Sequence, residues 1–276
     1  MSTKENQFKE KHNYHIATPV IKQYLDVKAK HIDHLVLFRM GDFYELFYED
    51  ASIASRTLGI TLTKRGKGAS EQIPMCGVPY HAIENYLNKM LDSGFKVVIC
   101  EQLETPDEAK KRGGSKAVVK RDITRIITPG TIIEDSLLNT QQPNYLCSIT
   151  VIKDIYGLCI VDLSTSEINI ISLPKSEIIN QLCKINPKEI IISEKHKHSE
   201  EIKYISNQLK SFISYQTDSF FAIEKCTEII KNFYKINSIK AIGNIENVSI
   251  SSLGACLEYI KITQKNNAPK LSLPQI

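Results

Sequence analysis

In RMGDFYELFYED, residues 39–50, an aromatic ring and a carboxylate stand two residues apart, Phe43 and Glu45, directly after Gly41-Asp42. A ring projecting beyond the end of an element can push between base steps, and unstacking is how minor-groove binders kink a duplex. A carboxylate beside it can accept a hydrogen bond from a base; close to phosphates its pKa rises, so it can also donate when protonated. Phosphates otherwise repel a carboxylate, which therefore serves discrimination better than affinity. The same residues also have a purely structural reading. Asp42 and Glu45 fit capping-box spacing with Asp in place of Ser/Thr, so that Glu45 satisfies a backbone N–H of its own helix. Phe43, one turn ahead of Phe47, would then pack on the core. Tyr44 and Tyr48 read as partly buried helix positions, and Glu49 and Asp50 as solvated residues near a helix N-terminus. Spacing alone leaves both readings open and leans toward the structural one.

Other chemistry is poorly served. A metal-dependent nuclease needs convergent carboxylates, yet the strand Tyr145 to Lys153 has none in its body, and Asp162 has no evident partner and reads as a strand-end turn former. The glycine-lysine stretches RGKGAS and RGGSKAV lack the GxxxxGK(S/T) spacing of a nucleotide-binding P-loop. No CxxC pair occurs among the seven cysteines, and His31/His34 and His196/His198 lack companion ligands at zinc spacing. The reading is of reduced thiols in a cytosol and no metal.

The chain has 276 residues, 42% of them hydrophobic and 24% charged, which fits a globular protein of two domains. Its apolar runs are strand-sized, so no membrane span is expected, and the polar N-terminus argues against secretion. The net charge of +4 is unevenly placed: residues 1–130 hold 20 Lys/Arg against 16 Asp/Glu, the rest 15 against 15. Much of the excess lies in KKRGGSKAVVKRDITR (110–125), a cluster compatible with phosphate contact and equally with a solvated loop.

The elements follow from pattern. After a polar tail, Thr18 and Pro19 open a helix over 18–31, and HLVLFRM (34–40) is a buried strand. The spacing of 43, 47, 51, 54 and 58 predicts a helix ended by Gly59. A strand over 60–65 leads into the loop GKGASEQ. A helix over 81–93, a strand over 95–102, a capped helix from Thr105 with Glu108, and a strand ending in TPGT complete a small mixed α/β domain. Residues 144–174 read as three antiparallel strands. Helix and strand alternate from there: helix 176–185, the strand PKEIIIS, helix 199–210, the strand SFISYQ, and helices at about 221–235 and 250–264. Strands leading into βαβα describe an RNase H-like layout, which fixes no function. The expected fold is α/β throughout, with domains over 1–127 and 128–268 and a linker over 269–276.

The blocks TPVIKQYLDVKAKH, LVLFRMGDFYELFYEDA, LGITLTKRG, IPMCGVPYHAIENYLNKML, VVICEQLETP and RDITRIITPGTIIEDSLL, in that order, resemble the N-terminal part of the MutS family of bacterial DNA mismatch repair proteins over about residues 17–138. The resemblance includes the family's Phe-x-Glu motif, here Phe43-Tyr44-Glu45. It implies that Phe43 stacks or wedges at a mispaired base from the minor groove and that Glu45 hydrogen-bonds that base, in sharply bent DNA. It places Met40, Asp42, Arg65, Pro74 and Met75 near the DNA, with Arg121 and Arg125 as backbone contacts. For Arg65 and Met75 the plain alternatives are a phosphate-facing strand end and a core-edge residue. Cys76 stands where the family often has Ala. The second half resembles the family's connector domain only in layout. Full-length members continue into a clamp and a dimerising ATPase, whereas this chain stops at Ile276. The implied chain is therefore not an enzyme and carries no cofactor, ATP and Mg²⁺ belonging to the ATPase domain. The implied partners are double-stranded DNA with mismatches or small loops and, through the connector, a MutL-type protein. Without the clamp's phosphate contacts the DNA is expected to be bound weakly and salt-sensitively at best, the alternative being a fragment that does not bind. A homodimer is implied only at full length, in a bacterial, nucleoid-associated cytoplasmic setting with no membrane.

Overall fold

The computed structural model describes residues 3–66, 72–133, 137, 143–265 and 269–276, so most of the loop GKGASEQ lies outside the described residues. The chain divides into two units, Met1–Ile127 and Thr128–Ile276.

In the first unit α1 (Thr3–Lys11) and α2 (Pro19–Lys30) precede β1 (His34–Met40) and β2 (Phe43–Phe47). Then follow α3 (Tyr48–Leu58), β3 (Thr63–Arg65), β4 (Ile73–Pro79), α4 (Ile83–Asp92), β5 (Lys96–Gln102), α5 (Pro106–Gly113) and β6 (Arg121–Ile127). The sheet order is β3-β4-β2-β1-β5-β6, antiparallel except for the β1–β5 pair. On one face Ile21, Tyr24 and Leu25 of α2 pack with Val36, Phe38, Phe47, Val98, Cys100 and Ile126. Burying such apolar side chains drives the docking, at about 1.5–3 kcal/mol for each one fully buried. The expected capping box of α5 is present: the Thr105 side chain accepts from the Glu108 N–H, and the Glu108 carboxylate accepts from the Thr105 N–H.

The opening segment departs from expectation. Residues 43–47 are a strand, not the first turn of a helix, and no Asp42–Glu45 capping box forms. Met40 pairs with Phe43, leaving Gly41-Asp42 as a two-residue hairpin loop with Gly41 at φ +61°. A glycine with positive φ at the first loop position suits the twist of the flanking strands. The helix starts only at Tyr48, whose φ of +55° breaks the backbone away from the strand. Tyr44 is accordingly a buried strand residue that hydrogen-bonds Glu101. Asp50, expected in solvent, is buried instead.

The polar tail is also more than a tail. Along α1 and just after it, Lys9 pairs with Asp26, and His12 and Lys11 each reach Glu49 at 3.0 Å. Burial alone would raise the Glu49 carboxyl, but the hydrogen bonds from His12 and Lys11 outweigh it and hold it at about 2. A carboxyl held below its unfolded value stabilises α1 docking fully above about pH 4.5 and loses that contribution as pH falls toward 2. Hydrogen exchange is expected to show amide protection in α1 falling across that window, and Glu49→Gln should remove the pH dependence.

The second unit carries a five-stranded sheet, β11-β10-β7-β8-β9. The strands β7 (Tyr145–Ile152), β8 (Ile155–Asp162) and β9 (Glu167–Pro174) form the expected antiparallel meander. Next come α6 (Ile178–Ile185), β10 (Glu189–Ser193), α7 (Glu200–Gln208) and β11 (Phe212–Gln216), with both strands running parallel to β7. The helices α6 and α7 cover one face, while α8 (Ile223–Tyr234) and α9 (Asn247–Gln264) cover the other. Gly254 of α9 lies so near α8 that a Cβ there would come within 2.3 Å of the Cys226 Cβ. Buried Glu189 accepts from Gly130 N at 3.0 Å and Tyr259 OH at 2.6 Å, and from Thr128 and Ser214. These donors satisfy a charge that would otherwise be costly to bury. Asp162 does close a turn, accepting from Ser164 N at 2.9 Å and Ser164 Oγ at 2.6 Å.

The segment 269–276 does not leave this unit as a free linker. Leu271 is buried, and Gln275 exchanges backbone hydrogen bonds with Ile168 and Ile170 along the edge of β9. Backbone groups at an open strand edge demand partners, and this segment supplies two. Among the described residues no helix is long and apolar enough to cross a membrane.

Candidate nucleic-acid interface

Side chains alternate across a strand, and the registers fix which of them share a face. Phe43 and Glu45 lie opposite Pro79 and Gly77 of β4, and opposite Met40 and Phe38 of β1. The face is the one that α2 covers at its far end. Phe43, beyond that cover, keeps 47% of its surface exposed, whereas Phe47 on the same face is fully buried. A ring with that much free surface at the hairpin end is not part of the core.

The tip is braced from several sides. Tyr80 N donates to the Asp42 carbonyl at 2.9 Å, and Gly41 N donates to Gln102 Oε1 at 2.9 Å. Arg39 donates to the Gly41 carbonyl, while its guanidinium lies 3.7 Å from the centroid of the Tyr80 ring and 5.5 Å from that of Tyr44. Cation–π contact of this kind holds a long side chain in place. Arg39, Tyr80 and Gln102 escaped the sequence reading. A hairpin at Gly41-Asp42 would have pointed to Arg39, which its register sets opposite Tyr44.

Glu45 is half-buried, and Arg65 Nη1 donates to its Oε2 at 2.9 Å. Burial raises the Glu45 carboxyl above its ordinary value, with Arg65 and Arg121 pulling the other way. The group is thus a carboxylate prepared to take up a proton more readily than a solvated one.

The remaining predicted residues are distributed unequally. Asp42 is exposed at the tip, and Met40 and Met75 are half-buried against the α2 core. Arg121 is on the Phe43 face but engaged by the protein: its Nε donates to the Arg39 carbonyl at 2.6 Å and its Nη1 to the Val119 carbonyl at 2.8 Å. Its guanidinium also covers the Phe38 ring at 5.2 Å. Arg125 pairs with Ile99 across a bulge and falls on the opposite face of the sheet. Pro74 pairs with Lys64 and so faces away from Arg65. The structure therefore groups Phe43, Glu45, Arg65 and Arg121, with Met40 and Asp42 beside them, and separates Arg125 and Pro74. Among the described residues no group of three or more His, Cys, Asp or Glu side chains is placed to hold a metal ion.

Known proteins match along both units. The family model MutS domain I matches residues 18–136, and MutS domain II matches residues 144–272. The chain belongs to the MutS family. It is 56% identical over 272 residues to the DNA mismatch repair protein MutS of Rickettsia felis, covering 98% of this chain and 31% of that protein. The MutS proteins of Rickettsia canadensis and Rickettsia prowazekii are 55% and 56% identical, with 98% of this chain covered in each case. The chain thus spans about a third of the length of the curated relatives it matches, and what it shares with them is MutS domains I and II. The braced hairpin tip lies in MutS domain I.

Proposed function

We propose that the first unit is a mismatch reader: Phe43 wedges at a mispaired base from the minor groove, and Glu45 hydrogen-bonds that base in kinked DNA. The observation that carries this is the half-exposed Phe43 ring on a braced tip, with the Glu45 carboxylate two residues on along the same face. A ring in that position gains by stacking on an unpaired base, a contact worth about 1–3 kcal/mol. Unstacking is least costly where pairing is already faulty, which is itself a source of selectivity. The function is recognition rather than catalysis. Arg65 holds one oxygen of Glu45 and leaves the other for the base. The second unit is the connector that joins this reader to the clamp and ATPase domains of a MutS-type protein and contributes to contact with a MutL-type partner.

The test is a fluorescence anisotropy titration with mismatched and matched duplexes at low salt, since the small positive excess makes affinity salt-sensitive. Glu45→Gln removes the charge and keeps the shape. It is expected to lower the mismatched-over-matched ratio about tenfold, the loss expected for a hydrogen bond to a charged group. Affinity for the matched duplex should stay level or rise, because repulsion from phosphates is gone. An unchanged ratio would remove Glu45 from the reading.

A further inference from the structure

Most described glycines have an evident reason in the fold. Gly41, Gly59, Gly66, Gly94, Gly114 and Gly243 have positive φ, which side chains resist. Gly130, Gly157 and Gly254 each meet neighbouring atoms at less than 3.0 Å from an added Cβ, and at Gly113 that distance is 3.1 Å. Gly77, in the interior of β4, fits neither group. Its φ is not positive, and a Cβ there would meet the Tyr44 carbonyl oxygen at 3.4 Å, the Glu45 Cγ at 3.7 Å and the Phe43 Cδ1 at 3.8 Å. These are ordinary contact distances. Glycine weakens a strand, and in strands it often marks a place where a ligand approaches the backbone closely. The neighbours of the missing side chain are the two residues assigned above to reading the base.

We infer that Gly77 is a specificity-determining residue: its missing side chain leaves a slot between the Phe43 ring and the Glu45 carboxylate, in which the sugar–base edge of the unstacked nucleotide sits. The inference rests on the proposed reading of Phe43 and Glu45. A methyl group at this position fills the corner that both reading groups border. It is tolerated by the folded protein alone and excluded by the nucleotide, so its effect falls on the mispaired complex. A matched duplex, which is not unstacked, does not enter the slot.

The experiment compares the chain with its Gly77→Ala and Phe43→Ala variants, each titrated by anisotropy against a duplex with one mispair and against its matched counterpart. Thermal melts are recorded alongside. Gly77→Ala is expected to melt at or above the parent temperature, as glycine-to-alanine changes do at compatible positions. It should bind the matched duplex as before and lose about fivefold or more of its mismatch preference, the scale of a methyl group forced into a filled space. Preference kept in Gly77→Ala but lost in Phe43→Ala would overturn the slot alone. A lowered melting temperature would also overturn it, because the glycine would then be a folding requirement. If the unsubstituted chain and Phe43→Ala both fail to distinguish the two duplexes, the reading of Phe43 fails and the slot with it.

Discussion

Phe43→Ala is expected to abolish the preference for a mismatched over a matched duplex while leaving the fold as stable as before. Truncating an aromatic that stacks on a base costs about 1–3 kcal/mol, or roughly 5- to 150-fold in affinity for the mispaired site. Affinity for matched DNA, which rests on charge and not on the ring, should change little. Stability separates this outcome from the alternative. A buried phenylalanine costs about 3–5 kcal/mol when cut to alanine, but the Phe43 ring is 47% exposed at a hairpin end. The expected change in unfolding free energy is therefore within about 0.5 kcal/mol. Anisotropy and a thermal melt on the same preparation check both halves. A large drop in melting temperature would return Phe43 to the core.

The second large effect concerns the scaffold that aims the tip. Asp50, in the first turn of α3, accepts from Tyr24 OH at 2.9 Å and from Val36 N at 3.0 Å, and pairs with Lys28 at 2.8 Å. It ties α2 and β1 to the start of α3, immediately behind β2. The Asp50 and Lys28 side chains are only 2% and 8% exposed. Burial raises the Asp50 carboxyl even with Lys28 opposing it, so the pair is not a free source of stability. Breaking one half of such a pair is the costly change, because the other charge stays buried without its partner. Lys28 would keep its bonds to the carbonyls of Ile32 and His34 but lose the counter-charge. Asp50→Ala is expected to destabilise the first unit by about 3–5 kcal/mol. Chemical denaturation followed by near-ultraviolet circular dichroism measures it, and a loss below about 1 kcal/mol would show the network to be dispensable.

These two positions also show what the sequence could and could not convey. The β7–β9 meander was legible because three strand-length apolar runs follow one another, separated only by short turns carrying Asp and Ser. The α5 capping box was legible too, being complete within four residues. Residues 43–47 were misread because Phe43 and Phe47 satisfy a helical period while Phe43, Glu45 and Phe47 satisfy a strand period. Gly-Asp between two apolar runs was a hairpin signal that should have decided between them. Asp50 had no local signal at all, since Tyr24, Lys28 and Val36 lie 14 to 26 positions away in the chain. The docking of 269–276 on β9 was hidden likewise, because its partners are the backbone groups of Ile168 and Ile170.

The site was legible in part. The blocks around Phe43 and Glu45 pointed to the reading pair, and the hairpin gives them a shared face and a fixed tip. The wrong element would have projected the ring from a helix end; the strand projects it beside Glu45, with Gly77 opposite. Arg121 and Arg125 could not be separated from sequence, because the bulge between Ile99 and Cys100 sets which side of the sheet each one takes. An extra residue in one strand shifts every later side chain to the other face, and no composition rule announces where it will occur.

The most direct test of the central claim follows the Phe43 ring itself. With phenylalanine rings isotopically labelled and the Phe43 signals assigned through Phe43→Ala, nuclear magnetic resonance can track each ring as duplex is added. The Phe43 ring is predicted to shift strongly with a mismatched duplex and little with the matched one, as stacking on a base requires. A Phe43 ring unmoved by the mismatched duplex, or moved equally by the matched one, would contradict the account.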